Sequence, residues 1–220
     1  MLANELISPI IPVVNELDSP ASALRLMNEY HLSQLPLVDE DQYICLLEEN
    51  GLLDMDDPEV LLKNVNLPYL KPAVKGNAHF FEALKLVGDF KLSLIPVVDD
   101  EGHYIGSITQ ENLLYTLAHF NGVHESGGIL VLEIDQNDFM LSEISRLAES
   151  EDIRIHGVYT FNNPATNKLQ VILKTNRQNL NTLIATLERF HYTILYRFDE
   201  PPSGDDIRVN YDLLMNYLNM

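Results

Sequence analysis

The sequence predicts an α+β fold in which a duplicated unit of helix and strands is followed by a smaller domain with a different order of elements. Three observations support this prediction. Segments of the first 120 residues recur sixty positions later, short apolar strands alternate with amphipathic helices, and a glycine-containing linker separates two halves. The 220 residues are enough for one large or two small domains, and 46% hydrophobic residues are typical of a globular protein.

The amino-acid sequence contains an internal repeat. ALRL at 23–26 returns as ALKL at 83–86, and LSQLPLVD at 32–39 returns as LSLIPVVD at 92–99. One additional residue near Gly102 shifts the later matches. Because self-similarity at a fixed spacing is typical of repeated supersecondary units, we expect two similar building blocks.

Each building block is expected to contain a helix, a hairpin and a closing helix. Asp18 or Ser19 can cap the first helix, Pro20 suits its first turn, and Asn77 is the predicted cap of the equivalent helix. Apolar residues at helical spacing follow each cap, namely Ala23, Met27 and Tyr30 in the first unit and Phe80, Leu84 and Val87 in the second. We expect strands at 35–38, 94–98 and 104–108, an acidic turn before the last of them, and a closing helix at about 110–120.

This pattern resembles the CBS domain, a β-α-β-β-α unit, and two such units in tandem resemble a Bateman module. The likeness rests on the helices, on the strands that contain Pro36 and Pro96 with the Asp that follows each, and on the run GSIT at 106–109. It covers about residues 5–120. The resemblance implies a first CBS repeat at 1–66 and a second at 67–122.

The segment 119–128 is predicted to be a linker, and the pattern changes after it. The apolar runs predict strands at 129–134, 153–161, 169–174 and 192–198, and helices at 139–148 and about 180–187. The resulting order, βαββαβ, is the ferredoxin-like arrangement. Together with its position behind a CBS pair, this order resembles an ACT domain at 128–199.

A short C-terminal helix is expected at 205–220, after the helix-breaking segment PPSG at 201–204. Asp205 or Asp206 can cap this helix. One of its faces would carry Val209, Leu213, Asn216 and Tyr217. That face could dock on its own chain or on a partner.

Composition and charge disfavour several classes of protein. The formal net charge of −19 disfavours nucleic acid as a partner, because phosphate binding depends on clustered lysine and arginine. A single cysteine, Cys45, excludes an internal disulfide framework and a cysteine-based zinc cluster. The chain has neither an apolar run of about 18 residues nor a basic N-terminal region, so we expect a cytoplasmic protein without a membrane partner. The seven histidines are scattered, and we expect no metal site and no catalytic constellation.

The segment 106–112 is the most informative candidate site. In CBS domains a related pattern ends a strand with Gly, two mostly apolar residues and Thr or Ser, and an Asp follows three positions after the hydroxyl. The resemblance implies that the hydroxyl contacts a phosphate or ribose oxygen and that the acid accepts from the ribose. Thr109 keeps the hydroxyl, Asn112 replaces the Asp, and a plain helix cap is the alternative role of Thr109. The residues expected to contact a ligand are Thr109, Asn112, Ile95, Pro96, Gly106 and Ile108.

The first repeat and the ACT-like half are expected to bind less well. Glu48 and Gly51 occupy the positions of the hydroxyl and the acid in the first repeat. A carboxylate about 4 Å from a phosphate costs on the order of 1–4 kcal/mol, so at most one adenosyl site is expected per chain. Residues 1–125 carry 6 basic and 20 acidic side chains, which favours AMP, adenosine or S-adenosylmethionine over ATP. The loop 135–139 of the ACT-like half contains two acids and neither Gly nor Pro, so it would repel an amino-acid carboxylate.

The order of domains resembles that of acetoin-utilisation accessory (AcuB-like) proteins. This resemblance implies a regulatory or sensor protein without an enzyme domain, which forms a homodimer. The sequence does not distinguish an orphan regulator from one that acts on a neighbouring enzyme. We expect an adenosyl ligand in the cleft of the CBS pair. Two alternatives stay open, namely a ligand-free dimerisation scaffold with decayed CBS pockets and amino-acid sensing through the ACT-like domain.

Overall fold

The computed structural model describes residues 1–65 and 71–199. The C-terminal helix predicted at 205–220 lies outside the described residues. The chain divides into two compact units, Met1–Ala118 and His119–Met220. Both units combine helices with β-sheet, so the predicted mixed α+β structure is confirmed.

The first unit consists of two helix-and-hairpin assemblies. Its helices are α1 (Pro20–Tyr30), α2 (Glu49–Leu53), α3 (Phe80–Phe90) and α4 (Gln110–Phe120), the last two residues of which belong to the second unit. Its strands are β1 (Gln34–Asp39), β2 (Gln42–Glu48), β3 (Val74–Lys75), β4 (Leu94–Val98) and β5 (Tyr104–Thr109), and short 3-10 helices lie at Ala3–Leu6 and Leu62–Asn64. Strands β1 and β2 form an antiparallel pair, whereas β4 lies between β3, its parallel neighbour, and β5, its antiparallel neighbour.

The sequence repeat is also a structural repeat. Helices α1 and α3 begin and end sixty positions apart, and each has 11 residues. Each is followed by a residue in the left-handed conformation, His31 or Lys91, with φ of 53°. The hairpins β1–β2 and β4–β5 both contain a register shift, after Leu37 and after Val97. The duplication predicted from the sequence is therefore confirmed.

The helix starts agree with the prediction in the first repeat and differ in the second. The Ser19 hydroxyl oxygen caps α1 by accepting a backbone N–H at 3.3 Å. The predicted cap Asn77 is wrong, because residues 76–78 form a turn and α3 begins only at Phe80. His79 takes the cap position instead, and its Nδ1 accepts a backbone N–H of the first turn at 3.4 Å.

Two further details of the first repeat differ from the prediction. Ala23 and Met27 are buried, but Tyr30, expected on the same buried stripe, is 37% exposed. The closing helix α2 has only 5 residues, against 11 in its equivalent α4. Gly51 lies inside α2, and a glycine in a helix interior is about 1 kcal/mol less favourable than alanine. The shortness of α2 is consistent with this penalty.

The two repeats meet through a partly buried hydrogen-bond network and share one apolar core. The Oε1 of Gln34, a residue only 8% exposed, accepts from the Ser93 N–H at 2.7 Å and from its hydroxyl at 2.6 Å. The Ser93 Oγ accepts from the Ser33 N–H at 3.2 Å. Because Ser33 and Ser93 are equivalent positions of the repeat, this network lies where the two halves face each other. The core that spans both halves contains the fully buried Phe80 and Ile95.

The second unit has its own sheet and its own core. Its elements are β6 (Ile129–Ile134), α5 (Leu141–Ser150), β7 (Ile155–Asn163), β8 (Lys168–Thr175), α6 (Asn181–Arg189) and β9 (Thr193–Phe198). The four strands form an antiparallel sheet in the order β7-β8-β6-β9, and a core separate from that of the first unit includes residues of this sheet and of both helices. Helix α5 begins two residues later than predicted, because Gln136–Asp138 form a 3-10 turn before it. Within the described ranges, every helix is too short or too polar to span a lipid bilayer.

Candidate functional site

The candidate site lies where β5 passes into α4. Thr109 is the last residue of β5, and its Oγ1 accepts a hydrogen bond from the backbone N–H of Asn112 at 3.1 Å. This bond satisfies one of the N–H groups that the first turn of a helix leaves without an intrahelical partner. Thr109 therefore caps α4. Its hydroxyl proton stays available for an acceptor at the helix N-terminus.

The N-terminal segment brings a second hydroxyl to Thr109. The backbone N–H of Ser8 donates to the carbonyl of Ser107 at 2.9 Å, and the Ser8 Oγ lies 3.5 Å from Thr109 Oγ1 and 3.5 Å from the Thr109 nitrogen. Both 3.5 Å distances are long for hydrogen bonds, so the two hydroxyls are neighbours held loosely together. Sequence reasoning missed Ser8, because it lies 101 positions from Thr109. The one signal available was an isolated hydroxyl in the apolar stretch ISPIIPVV at 7–14.

Asn112 makes a structural hydrogen bond that an ionised aspartate could not make. Its Nδ2 donates to the carbonyl of Leu6 at 2.7 Å, which ties the N-terminal segment to the first turn of α4. An ionised carboxylate has no proton to donate, so Asp at this position would leave the Leu6 carbonyl facing a negative oxygen. The asparagine Oδ1 can still accept a hydrogen bond from a ligand hydroxyl.

Gly106 lies directly beneath the same N-terminal segment. A Cβ placed on Gly106 would lie 2.4 Å from Cγ2 of Ile7, far inside van der Waals contact. Its φ of +151° is also a conformation that residues with side chains rarely adopt. Gly106 is therefore required by the close approach of Ile7.

The remaining predicted site residues form the floor of this region and are buried. Ile95 and Ile108 are opposite each other on β4 and β5, and both are 0% exposed in the core. Pro96 is opposite Ser107 on the other face, and it is also buried. The Tyr104 hydroxyl lies 2.9 Å from the Ser107 Oγ, and burial raises the pKa of the Tyr104 phenol. The structure thus brings Thr109, Asn112 and Gly106 together around the N-terminal segment and sets the two isoleucines below them.

The family of the first unit follows from comparison with known sequences. The sequence profile of the CBS domain matches residues 3–55 and 66–119. These two segments form a tandem CBS pair. Two curated relatives are inosine-5'-monophosphate dehydrogenases. The one from Korarchaeum cryptofilum is 24% identical over 165 residues (72% of this chain, 33% of the enzyme), and the one from Methanocaldococcus jannaschii is 26% identical over 163 residues (73% and 33%).

These relatives extend far beyond the matched region. The chain spans about a third of the length of the two dehydrogenases, and the match supports no enzymatic activity here. A solved CBS domain pair/ACT domain protein from Thermotoga maritima superimposes with a TM-score of 0.50 at 21% identity, over 54% of this chain and 98% of that chain. At this identity the likeness shows the fold alone. It supports the CBS pair and leaves the ACT-like prediction for the second unit unconfirmed.

The first CBS domain has a different chemistry at the equivalent helix start. The backbone N–H of Glu49 donates to Ser33, as the N–H of Gln110 donates to Ser93 in the second CBS domain. Glu48 stands in the place of Thr109, and it precedes α2 without a side-chain capping bond. The half-buried carboxylate of Glu48 therefore replaces the hydroxyl at this helix start.

One group of side chains in the CBS pair has the ligand types of a metal site. Asp99, Glu101 and His103, in the turn between β4 and β5, each bring one ligand atom to within 4.8 Å of the others. The ligand atoms of Asp99 and His103 already make hydrogen bonds within the turn. Asp99 Oδ2 pairs with His103 Nδ1 at 2.8 Å, and Asp99 Oδ1 accepts the N–H groups of Glu101 and His103 at 3.0 and 2.7 Å. We interpret it as an ion pair that closes the turn.

We expect His103 to titrate above the ordinary histidine value. The hydrogen bond to Asp99 raises the pKa of His103. Although burial opposes the shift, the hydrogen bonds from His103 lower the pKa of Asp99. The pair therefore adds stability between these two pKa values, and loses it as the pH rises through the raised pKa of His103 or falls through the lowered pKa of Asp99. An NMR titration of the His103 ring protons should give a midpoint above about 6.5. Asp99→Asn should lower that midpoint, because the amide keeps the turn acceptor but removes the charge. An unchanged midpoint in this variant would show that Asp99 is not the cause.

The second unit contains an acidic cavity at the loop predicted to repel carboxylates. The cavity has a volume of about 320 Å³, and its lining includes Asp135, Asp138, Glu133, Glu143 and Lys168. The Tyr192 hydroxyl donates to Glu143 at 3.0 Å, and burial together with this bond raises the pKa of Tyr192 to about 12. The carboxylates give the cavity a negative lining, which disfavours anionic ligands.

Proposed function

We propose that the chain is a regulatory sensor whose CBS pair binds an adenosyl compound at the start of α4. CBS pairs are regulatory modules that commonly bind adenosine ligands. The observation that carries the proposal for this chain is the pair of neighbouring hydroxyls, Ser8 and Thr109, beside the Asn112 amide at the N-terminus of an 11-residue helix.

Each of these groups has a role that its chemistry permits. The Thr109 hydroxyl accepts the Asn112 N–H and keeps its own proton, which can be donated to a phosphate or ribose oxygen. The Ser8 hydroxyl can donate beside it. The helix N-terminus favours a negative group by its dipole. Asn112 Oδ1 would accept from a ribose hydroxyl while its Nδ2 holds Leu6.

The charge of the chain limits which adenosyl compound fits. Residues 1–125 have 6 basic and 20 acidic side chains, so the several negative charges of ATP would be opposed. AMP, adenosine and S-adenosylmethionine carry less negative charge and are the ligands we propose. Because Glu48 replaces the hydroxyl in the first CBS domain, we propose one site per chain.

Substitution of Thr109 tests the proposal. With AMP, adenosine or S-adenosylmethionine at about 100 times its Kd, the chain should gain about 2.7 kcal/mol of stability, seen as a saturable rise in Tm. Thr109→Ala should abolish this rise. Thr109→Ser should keep it, since the hydroxyl is retained, and Glu48→Ala should leave it unchanged as a control in the other repeat. The absence of a Tm shift with all three compounds in the native chain would refute the sensor.

A second candidate function is a ligand-free scaffold. The specific observation in its favour is that Asn112 Nδ2 is bonded to Leu6 and that Ile7 lies against Gly106, so the N-terminal segment occupies part of the region around Thr109. CBS-pair proteins often form dimers, and the exposed Leu114 and Tyr115 of α4 offer an apolar surface for a homodimer. A dimer in light scattering together with no response to any adenosyl compound would favour this function.

Further assignments belong to the same proposal. We propose CBS repeats at 1–66 and 67–122, an ACT-like domain at 128–199, and an AcuB-like accessory protein that is cytoplasmic and acts on a partner enzyme. The strand order β7-β8-β6-β9 supports a ferredoxin-like second domain. Amino-acid sensing by this domain is disfavoured by the carboxylates of Asp135 and Asp138 in its cavity.

A further inference from the structure

The structure gathers three of the seven histidines near the turn that follows α4. His119, in the last turn of α4, and His124 have ring centroids 4.9 Å apart. His156 lies near the start of β7, and His119 and His156 line one cavity of about 480 Å³. All three residues belong to the second unit. The histidines are scattered along the sequence, but the fold brings these three into one region.

The turn at 121–125 explains why His119 and His124 meet. Gly122 has a positive φ of 56°, and its N–H donates to the carbonyl of His119 at 3.0 Å. The N–H of Glu125 then donates to the carbonyl of Gly122, also at 3.0 Å. Hydrogen bonds between residues three positions apart are those of tight turns, which reverse the chain. The ring of His124 therefore returns to the ring of His119.

The same turn is attached to the sheet of the second unit. Lys174 of β8 is only 8% exposed, and its Nζ donates to the carbonyl of Glu125 at 3.1 Å. The Tyr159 hydroxyl of β7 donates to Oδ1 of Asn121. With the turn held in this way, Oε2 of Glu125 lies 2.9 Å from Nδ1 of His156. Contacts with two neighbouring strands thus define where His156 lies relative to the turn.

The contact between Glu125 and His156 prepares this histidine to bind a metal ion. A carboxylate that accepts from one ring nitrogen fixes the tautomer in which that nitrogen carries the proton, and the other nitrogen then offers a lone pair. Carboxylates bonded in this way to histidine ligands are usual around metal ions in proteins. Because Nδ1 of His156 faces Glu125, Nε2 is the atom that can bind an ion.

The pair of His119 and His124 has the separation that a shared ion requires. Two imidazoles bound to one tetrahedral ion at about 2.0–2.1 Å have ring centres about 5 Å apart. The ring centroids of His119 and His124 are 4.9 Å apart. An imidazole has two ring nitrogens, so one can bind an ion while the other keeps a hydrogen bond.

Side-chain rotation completes the site. Among the described residues, the acidic turn at 99–103 provides the group whose ligand atoms all lie within 4.8 Å of one another. The rings of His119 and His124 therefore have to turn toward His156 before all three contact one ion. Both rings are exposed, and exposed side chains change rotamer within picoseconds to nanoseconds.

We propose that His119, His124 and His156 bind a divalent transition-metal ion. Glu125 is the carboxylate that orients His156. Imidazole nitrogen suits Zn²⁺, Ni²⁺ and Cu²⁺, whereas Mg²⁺ and Ca²⁺ prefer oxygen ligands. Three histidines leave the fourth position of a tetrahedral ion to water. The bound ion would hold the turn after α4 against β7.

Titration with Zn²⁺ tests this inference in the full chain, purified without a polyhistidine tag and treated with EDTA. Isothermal titration calorimetry should show saturable binding of one Zn²⁺ per chain. His119→Ala and His156→Ala should each lower the affinity at least tenfold, and Glu125→Gln should do so by about tenfold or more, as is usual when the partner of a histidine ligand is lost. His103→Ala, in the acidic turn, is the matched control and should leave the affinity unchanged. The substituted residues are exposed or half-buried, so circular dichroism should show that all variants keep the native fold.

Other results of the titration overturn the inference. Affinity that is lost in His103→Ala but kept in His119→Ala and His156→Ala would place the ion at the acidic turn instead. The absence of saturable binding, or equal affinity in every variant, would mean that the three histidines form no metal site. The test is independent of adenosyl binding, because Thr109 lies in the first unit. Thr109→Ala should therefore bind Zn²⁺ as the native chain does.

Discussion

Replacing Phe80 by alanine is expected to lower the free energy of unfolding of the first unit by about 3–5 kcal/mol. Phe80 is 0% exposed, and among the described residues it has the largest of the fully buried side chains. It is the first residue of α3, in the core that the two CBS domains share. Its backbone N–H also donates to Met1 at 3.3 Å, so the ring and the N-terminal segment meet at the same helix start. The substitution therefore leaves a cavity where several elements converge.

The neighbouring Phe81 provides a matched control. Phe81 has the same side chain one position later, but it is 48% exposed. Phe81→Ala should cost less than about 1 kcal/mol, as is usual away from the core. Urea unfolding followed by circular dichroism should show the first-unit transition shifted in Phe80→Ala and nearly unchanged in Phe81→Ala. Equal shifts in the two variants would contradict the assignment of Phe80 to the core.

The sequence was most informative where the signal is local. The repeat predicted a pair of equivalent helices, and α1 and α3 lie sixty positions apart at both ends. The closing helix predicted at about 110–120 is α4, Gln110–Phe120. The helical spacing of apolar residues and the residue preferences of turns are patterns over a few neighbouring positions. Such local patterns can be recognised in a single sequence.

The prediction was weakest where the structure depends on residues far apart in the chain. Asn77 has the chemistry of a cap, but the turn 76–78 is fixed from outside, since backbone N–H groups of Ala3 and Asn4 donate to Ala78 and Gly76. The contact of Ser8 with Thr109 crosses 101 positions. Such a long-range contact leaves no periodic pattern or fixed spacing in a single sequence from which it could be predicted. The same reason explains why Asn112 was interpreted only as a weakened ligand contact.

The role of Asn112 connects the two candidate functions. As a ligand contact it would use its Oδ1, and as a structural residue it uses its Nδ2 to hold Leu6. The two uses involve different atoms, so they are compatible if a ligand can enter beside the N-terminal segment. They compete if the ligand must displace that segment. In the second case, binding would be coupled to release of residues near the N-terminus, which is a route from ligand to conformational change.

Asn112→Asp is expected to destabilise the first unit by about 1–3 kcal/mol at neutral pH, the cost of a buried acceptor left without its donor. Above its pKa the new carboxylate has no proton for the Leu6 carbonyl and repels it. When protonated, it can donate to that carbonyl again, so folding raises its pKa above the unfolded value of about 3.9. The loss of stability should therefore be small below about pH 4 and reach its full size as the pH rises through the raised pKa.

Asn112→Ala is the control for this prediction, because it removes the donor without adding a titratable group. Unfolding measured from pH 3 to 8 should give a pH-independent difference from the native chain for Asn112→Ala and a pH-dependent one for Asn112→Asp. Parallel profiles in the two variants would contradict the bond to Leu6. The same variants separate the candidate functions, since the aspartate restores the acid of the CBS pattern. If Asn112→Asp binds AMP with higher affinity than the native chain despite its lower stability, then Asn112 weakens ligand binding while it holds the N-terminal segment in place.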